Sequence, residues 1–576
     1  YIMVVYTDLM VTDPLDNYED SAKYNAEFVP KLEKYRKDLA SGILPEYAAE
    51  LPAPVQELTE AQFNSVKYLR EKKLLTPAEF EITDSLVVAI TQNIASGKWS
   101  SVEVFKAFAK RATIAHQFTN CALDLFPEEG LQRAEYLDEY FKKNGKTIGP
   151  LHGLPVSLKE QMNYKGKITH GGYVSMINNV PSKHAVTTQI LEDLGAVFFV
   201  RTNQPQTLMH LDGNNNFIGH SKCPYNLALT SGGSSSGEGA IVAFGGTPLG
   251  IGSDIGGSIR GPAAFGGCVG LRPTTNRFSK VGGVSSGSGQ ESVPAVEGPM
   301  TRSVDDIDFL MDVYINQGKP WVADCTTYPL PWKKVAKPEP KDLTIAIMYD
   351  DGIVKPTPPI ARALKTVAEK LAAAGAKVVT FEPIDTQLAK DTVDKMYSCD
   401  GNYMQRKLLA DSGEPLTKLT KWALNFGDGA KVYDVAENRK LNVIRDRLKQ
   451  QYTDYLNENN VDFIISPTYS NVAPRPEEIY NWSYTSLFNI LDLPTLVVQT
   501  GLFQDPAVDK WDAAHENYQY RSDVEKLELE NYVPEKFIGA PIGLQISGRR
   551  YFDEDVVAAG KTIVDILDVD LFKLYK

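Results

Sequence analysis

The chain contains 576 residues, of which 43% are hydrophobic and 23% are charged. This is the composition of an ordinary globular protein, long enough for one large domain or several domains of average size. The formal net charge is −13, which disfavours direct binding to nucleic acid or to an anionic membrane. We therefore expect neither nucleic acid nor a membrane as a partner. The charge does not exclude small neutral substrates.

The cysteines and histidines predict neither a disulfide framework nor a metal site. The cysteines are odd in number, far apart and without a CxxC pair, so we expect buried free thiols in a reducing, cytoplasmic compartment. The seven histidines form no HExxH motif and no cluster with cysteine, so we expect no metal. No run of about 18 apolar residues is present. The five cysteines are Cys121, Cys223, Cys268, Cys325 and Cys399.

The first 80 residues are charged and alternate proline breaks with amphipathic runs, a pattern that predicts an N-terminal helical arm. The helical pattern continues to about residue 143. Ser100 and Glu103 have the spacing of a capping box, in which the serine caps the first turn and the glutamate reaches back. A helix is therefore predicted to begin at Ser101.

From about residue 150 onward, short apolar strands and helices alternate, which predicts an α/β fold with helices on both faces of a parallel or mixed sheet. Helices are predicted over residues 186–194, 359–374 and 554–567. The proline-rich residues 318–343 form a connection with strands on both sides, so we expect residues 81–576 to be one domain. Strands are predicted over residues 155–159, 196–200, 343–348, 377–381, 463–466, 495–500 and 542–547.

The centre of the chain is rich in glycine, with 14 glycines among residues 231–270. No Gly-Lys-Ser/Thr is present for a phosphate-binding P-loop, and Gly250–Gly256 is one residue away from the dinucleotide fingerprint. Gly233–Gly237 formally matches GxSxG, with Ser235 as the nucleophile of an α/β-hydrolase. That mechanism needs a histidine further along the chain, and His515 lies in a polar stretch that is typical of a surface.

A third interpretation uses two serines and a lysine. The sequence contains GLPVSLKE at residues 153–160, GGSSSGEG at 232–239 and GSDIGGSIR at 252–260. With these three motifs, in this order and at fitting separations, the chain resembles the amidase signature family from about residue 80 to its C-terminus. The likeness is greatest to the acetamidases of fungi.

The resemblance implies a fold, a mechanism and a set of site residues. The implied fold is a single large α/β/α domain around a mixed β-sheet, with the signature core at about residues 150–305 and no cofactor. Ser258 would be the nucleophile, Lys159 the base and Ser234, on a cis peptide, the bridge between them. One departure is Ser236, which stands where the family commonly has glycine. The backbone amides of Ile255, Gly256, Gly257 and Ser258 would form the oxyanion hole, with Ser235, Asp254 and Arg260 as supporting residues.

The chemistry of Lys159 can also be argued from the residue alone. A lysine can take a proton from serine only when it is neutral, so its pKa has to fall from about 10.4 towards 7, at a cost of about 4 kcal/mol. Burial has this effect because desolvation disfavours the ammonium. Lys159 ends a predicted strand, and the neighbouring Glu160 would point to the opposite face. Asp254 and Arg260 flank the glycine turn, and we expect them to brace it as an ion pair.

These observations predict a hydrolase that cleaves carboxamide C–N bonds through an acyl-enzyme on Ser258. The expected substrates are small aliphatic amides such as acetamide, as in nitrogen metabolism. The alternatives are an enzyme like fatty acid amide hydrolase, a subunit that generates ammonia for a tRNA amidotransferase, and a non-enzymatic binding protein on the same scaffold. A small-molecule amide is the expected partner, and a homodimer stays open as the oligomeric state.

Overall fold

Apolar strands from both halves of the chain form one central sheet of 11 strands in the computed structural model, which describes residues 19–575. Two further strands, β4 and β5, form a separate antiparallel pair. In chain order the strands are β1 Ala122–Leu125, β2 Pro155–Lys159, β3 Val197–Thr202, β4 Lys222–Cys223, β5 Asn226–Thr230, β6 Leu249–Asp254, β7 Val269–Arg272, β8 Val296–Thr301, β9 Thr344–Ile347, β10 Lys377–Thr380, β11 Phe463–Pro467, β12 Thr495–Phe503 and β13 Pro541–Ser547.

The sheet is mixed, as the alternation of elements predicts. Its strand order is β1-β3-β2-β6-β8-β7-β12-β13-β11-β9-β10. β2 is parallel to both β3 and β6, and β9 is parallel to both β10 and β11, while the remaining pairs are antiparallel. Parallel neighbours need long crossover connections, which helices supply here. The α/β fold around a mixed sheet is therefore confirmed.

Helices flank the sheet. The predicted capping box at Ser100 and Glu103 is present. Helix α13, predicted over residues 359–374, buries an apolar stripe that includes Ile360, Leu364 and Leu371. The α-helices are α1 Ser21–Lys23, α2 Val29–Ser41, α3 Val55–Glu60, α4 Ser65–Glu71, α5 Pro77–Thr83, α6 Val87–Ala95, α7 Ser101–Thr119, α8 Pro127–Asn144, α9 Val186–Asp193, α10 Ser236–Phe244, α11 Arg260–Gly266, α12 Val304–Asp312, α13 Pro358–Ala373, α14 Thr386–Tyr397, α15 Tyr403–Ser412, α16 Lys418–Ala423, α17 Val435–Glu458, α18 Ser483–Ile490, α19 Asp523–Glu530 and α20 Asp553–Leu567.

Each of the seven predicted strands is present, with ends that differ by at most three residues. Six of the 13 described strands were missed, namely β1, β6, β7 and β8 of the central sheet and the separate pair of β4 and β5. β1 is a short edge strand inside the stretch that we predict to be helical. β6 contains Gly250 and Gly252, and glycine is a poor strand former. The sequence of β6 therefore shows no clear strand signal, although the strand lies inside the sheet.

The described part of the predicted N-terminal arm is largely helical, from α1 to α5. Its buried side chains Leu58, Leu69 and Leu75 belong to the same hydrophobic core as the sheet. Residues 1–18 of the arm lie outside the described residues, and the boundary at residue 80 stays a prediction. Within residues 19–575, no helix is long and apolar enough to cross a membrane.

The cysteines are free, and Cys121, Cys223 and Cys268 are buried as expected. The expectation of burial is wrong for Cys325, which is exposed, and for Cys399, which is partly exposed. Cys325 lies in the proline-rich connection outside the sheet, and Cys399 follows α14 at the wall of a cavity, so neither is enclosed by packed elements.

Two helical glycines give a matched test of this packing. A Cβ added at Gly237 in α10 would overlap the backbone of Cys121 and Asn203, whereas one added at Gly261 in α11 would have its nearest neighbour at 3.7 Å. We expect Gly237→Ala to destabilise the protein by about 1–3 kcal/mol through overpacking, which exceeds the gain in helix propensity. Gly261→Ala should be neutral or stabilising by up to about 1 kcal/mol. Thermal unfolding of both variants checks this, and equal midpoints would contradict it.

Candidate active site

The predicted base and bridge are in direct contact. Lys159 is the last residue of β2 and is fully buried, and its Nζ lies 2.6 Å from Ser234 Oγ and 2.9 Å from Ser253 Oγ. Ser253 Oγ in turn donates to Gln161 Oε1 at 2.8 Å. The lysine amine is thus held between two hydroxyl groups inside the protein.

The surroundings of Lys159 favour its neutral form. Burial lowers its pKa to about 7, although the negative charges of Asp254, Glu238 and Glu297 act in the opposite direction. Glu160 does not face this amine. Its carboxylate accepts the backbone N–H groups of His170 and Gly171, at 2.7 and 3.0 Å.

The serine-rich segment brings the two predicted catalytic serines to one place. The peptide bond between Gly233 and Ser234 is cis, as the resemblance implies. The backbone N–H of Ser235 donates to the carbonyl oxygen of Ser258 at 3.1 Å, and Ser235 Oγ accepts the N–H of Ser253 at 3.2 Å. Both Ser234 and Ser258 line the same cavity.

Ser236, the departure from the family pattern, is accommodated at the first turn of α10. Its hydroxyl donates to the carbonyl oxygen of Asn203 at 2.9 Å, and its own carbonyl accepts the hydroxyl of Ser231. The added side chain is therefore fully buried and hydrogen-bonded beside the cis peptide.

Asp254 and Arg260 form a fully buried ion pair that spans the glycine turn, with the Nη2–Oδ1 distance at 3.0 Å. The carboxylate also accepts the backbone N–H groups of Gly257 and Ile259. Burial opposes ionisation of Asp254, but the charge and hydrogen bonds of Arg260 outweigh it and hold the pKa well below its usual range. Asn489 bonds to both partners, so the pair has polar neighbours throughout.

Two side chains from distant helices orient the peptide groups of this turn. Tyr397 donates to the carbonyl oxygen of Ile255 at 2.8 Å, and Thr485 donates to that of Gly256 at 2.6 Å. Because a trans peptide is planar, each bond also fixes the direction of the next N–H group. Of the four amides predicted to form the oxyanion hole, that of Gly257 already donates to Asp254 Oδ1, at 2.9 Å.

The cavity above these groups has a volume of about 780 Å³, within the range of pockets that hold ligands larger than a few atoms. Thr207 and Leu208 both have positive φ angles, 65° and 66°, where the chain turns along the cavity wall. A serine-rich segment, residues 285–292, forms another part of the wall. The apolar and aromatic side chains of the lining include Met162, Leu208, Met209, Ile255, Val284, Ala295, Val296 and Tyr397.

Sequence reasoning missed Ser253, Gln161, Tyr397, Thr485 and Asn489. Ser253 stands inside one of the three motifs and could have been found there, whereas Tyr397, Thr485 and Asn489 lie more than 100 residues from that motif and carry no local signal. The α/β-hydrolase alternative finds no support in the geometry. His515 stacks on Trp511 with ring centroids 3.7 Å apart and is not among the residues that line the cavity in the described part of the chain.

Comparison with known proteins agrees with this geometry. A family model described as Amidase matches residues 103–557. The chain therefore belongs to the amidase signature family and is an amide-hydrolysing enzyme. The acetamidase of Aspergillus oryzae is 38% identical over 87% of this chain and 93% of its own length. The acetamidase of Emericella nidulans is 36% identical over 88% of this chain and 93% of its own length. A solved structure of a protein named fatty acid amide hydrolase is 64% identical, with a TM-score of 0.97, over 99% of this chain and 100% of that chain.

The buried ion pair of the turn predicts a large effect of its removal. Arg260→Leu leaves the buried Asp254 carboxylate without its cation, which we expect to destabilise the protein by about 3–5 kcal/mol. Thermal unfolding measures this loss. The control is Arg475→Leu, which removes a partly exposed ion pair with Glu478 and should cost at most about 1 kcal/mol. Equal effects of the two changes would contradict the structural role of Arg260.

Proposed function

We propose that the protein hydrolyses amides through Ser258 as nucleophile, Ser234 as proton bridge and Lys159 as base. The observation that carries this proposal is the 2.6 Å contact between the buried Lys159 amine and Ser234 Oγ, in the wall of the cavity that Ser258 also lines. A serine hydroxyl needs a neighbouring base when it attacks a carbonyl carbon. A lysine with a pKa of about 7 can serve, because a large share of it is neutral near neutral pH.

In the first half of the reaction, Ser258 Oγ attacks the amide carbonyl carbon. Its proton passes to Ser234, whose own proton passes to Lys159. The negative oxygen of the tetrahedral intermediate is stabilised by the amides of Ile255, Gly256 and Ser258, a type of stabilisation in which one donor contributes about 10²–10³ in rate. The C–N bond then breaks while the lysine ammonium, through Ser234, returns a proton to the leaving nitrogen.

In the second half, water hydrolyses the acyl ester on Ser258. The same relay takes a proton from the water as it attacks the ester carbonyl. It then gives a proton to Ser258 Oγ as the C–O bond breaks. The products are a carboxylic acid and ammonia or an amine, and the enzyme returns to its starting protonation state.

For the substrate, we propose amides with acyl groups well beyond acetyl. The cavity of about 780 Å³ is much larger than acetamide, which has four non-hydrogen atoms, and its apolar side chains suit a hydrocarbon chain. The relative that is 64% identical over almost the whole chain is named fatty acid amide hydrolase. Hydrolysis of small aliphatic amides is the second candidate, since the acetamidases of two fungi are 38% and 36% identical.

The proposed base predicts a pH dependence. Lys159 acts when neutral, and its pKa is about 7, so kcat/KM should fall about tenfold per pH unit below pH 7 and level off above it. The measurement is kcat/KM for an uncharged amide between pH 5 and pH 9. Lys159→Met should remove the activity together with its acid limb. A limb centred near pH 10, the ordinary value for lysine, would contradict a buried neutral amine.

A series of straight-chain primary amides from two to eighteen carbons tests both the nucleophile and the substrate. Each methylene buried in an apolar pocket contributes about 0.8 kcal/mol, so kcat/KM should rise about fourfold per carbon until the pocket is full. We expect ammonia release to keep rising beyond six carbons.

Ser258→Ala is the blank for this series and should release no ammonia above background. Activity of this variant close to that of the unmodified enzyme would contradict the proposed nucleophile. A maximum at two carbons would contradict the larger acyl group and favour the acetamidase candidate. These two results are independent, because the first concerns the bond that is cleaved and the second the cavity that binds the acyl chain.

A further inference from the structure

The cavity wall carries one buried carboxyl group that the proposed mechanism does not use. Glu297 on β8 lines the same cavity as Ser234 and Ser258 and is only 8% exposed. Its Oε2 atom is buried and has no hydrogen-bond partner among the described residues. Buried polar atoms in folded proteins are almost always paired. Glu297 is thus a side chain of the cavity wall whose carboxyl the protein leaves short of hydrogen bonds, which makes it a candidate contact for a ligand.

The sheet register locates Glu297 within the site. It stands directly opposite Ser253 in the antiparallel pair of β6 and β8. Opposed residues share one face of a sheet, with Cβ atoms about 5 Å apart. Ser253 Oγ is 2.9 Å from Lys159 Nζ, so Glu297 lies on the lysine side of the cavity.

This side of the cavity corresponds to the leaving group. In the proposed mechanism Lys159, through Ser234, protonates the nitrogen that leaves, so the amine half of the substrate has to lie near these two residues. We assign the acyl half to the apolar part of the lining, which includes Leu208 and Met209. Glu297 is therefore placed to meet substituents on the amine half.

We propose that Glu297 forms a subsite for the amine half of the substrate and selects amides whose amine half carries a positive charge over those whose amine half carries a carboxylate. This subsite rests on the proposed function, because it assumes hydrolysis at Ser258. A carboxylate forms a charge-assisted hydrogen bond with an ammonium group and repels another carboxylate.

The environment of Glu297 adds a pH signature. Burial raises the pKa of its carboxyl to about 8, with Asp324 acting in the same direction, while a hydrogen bond with Thr187 and the charges of Lys280 and Lys159 oppose the shift. The phenol of Tyr314 is a further titratable neighbour. At pH 6 the carboxyl is neutral and a bound cation has to displace its proton to solvent, whereas at pH 8 about half of it is already ionised.

Three decanamides with amine halves of similar length test the subsite. Their amine halves are 3-aminopropyl, which is a cation, butyl, which is neutral, and 2-carboxyethyl, which is an anion. The released decanoic acid gives kcat/KM for each. We expect the unmodified enzyme at pH 8 to prefer the cation over the butyl amide by about tenfold or more, as for one charge-assisted hydrogen bond. The anion should be the poorest substrate, and the preference for the cation should shrink towards one at pH 6.

Glu297→Gln keeps the size of the side chain and removes its charge, so the ratio of cation to butyl should fall close to one at both pH values. The control is Glu382→Gln, which removes an exposed carboxyl that is not among the described residues lining the cavity and should leave the ratio within about twofold. An unchanged ratio in Glu297→Gln would overturn the subsite.

The pH dependence of the ratio in the unmodified enzyme tests the same subsite without any variant, so a failure of Glu297→Gln to fold does not remove the test. A ratio that stays constant between pH 6 and pH 8 would overturn it. If none of the three amides is hydrolysed in a Ser258-dependent way, the proposed function itself falls and the subsite falls with it. Hydrolysis of all three with equal kcat/KM overturns the subsite alone.

Discussion

The desolvation of Lys159 is the constraint on which the rest of the site depends. A buried amine stays neutral only if the carboxyl groups around it do not stabilise its ammonium form with their negative charge. Asp254 is ionised, but its charge is paired with Arg260. Burial raises the pKa values of Glu238 and Glu297 to about 8, so both are mainly neutral at pH 7. Burial thus lowers the pKa of the lysine, and one paired and two largely uncharged carboxyl groups oppose this shift only in part.

The glycines of the central strand follow from the same packing. A Cβ at Gly250 would overlap the Glu238 carboxyl, which receives hydrogen bonds from Ser157 and Thr202. A Cβ at Gly252 would approach Ser235 Oγ, which accepts the N–H of Ser253. Glycine in this strand therefore marks positions where buried polar groups approach the backbone closely. This accounts for a glycine pattern that resembles a nucleotide-binding loop without being one.

Much of this arrangement could be predicted from the sequence, and the rest could not for identifiable reasons. The apolar strands and the helices with a clear stripe or capping box carry local signals, as Ser100 and Ile360 illustrate. The motifs that contain Lys159, Ser234 and Ser258 are recognisable because their residues are contiguous. Tyr397 and Thr485, which orient the turn, come from helices that reach it only through the tertiary fold. The positions of these two residues follow from tertiary packing, and no local sequence pattern predicts them.

The type of bond that is cleaved depends on contiguous motifs, whereas the choice of substrate depends on residues that only the tertiary fold brings together. The groups proposed for catalysis all lie within the three motifs at residues 153–160, 232–239 and 252–260. The cavity wall is built largely from elsewhere, including residues 207–209, the segment 285–292 and side chains of α17 such as Asn442. Sequences can therefore keep the motifs while the volume and charge of the cavity diverge. For this reason the motifs alone do not distinguish acetamide from a long-chain amide. The cavity volume bears on the acyl half of the substrate, and the Glu297 carboxyl, with one oxygen that lacks a partner among the described residues, bears on the amine half.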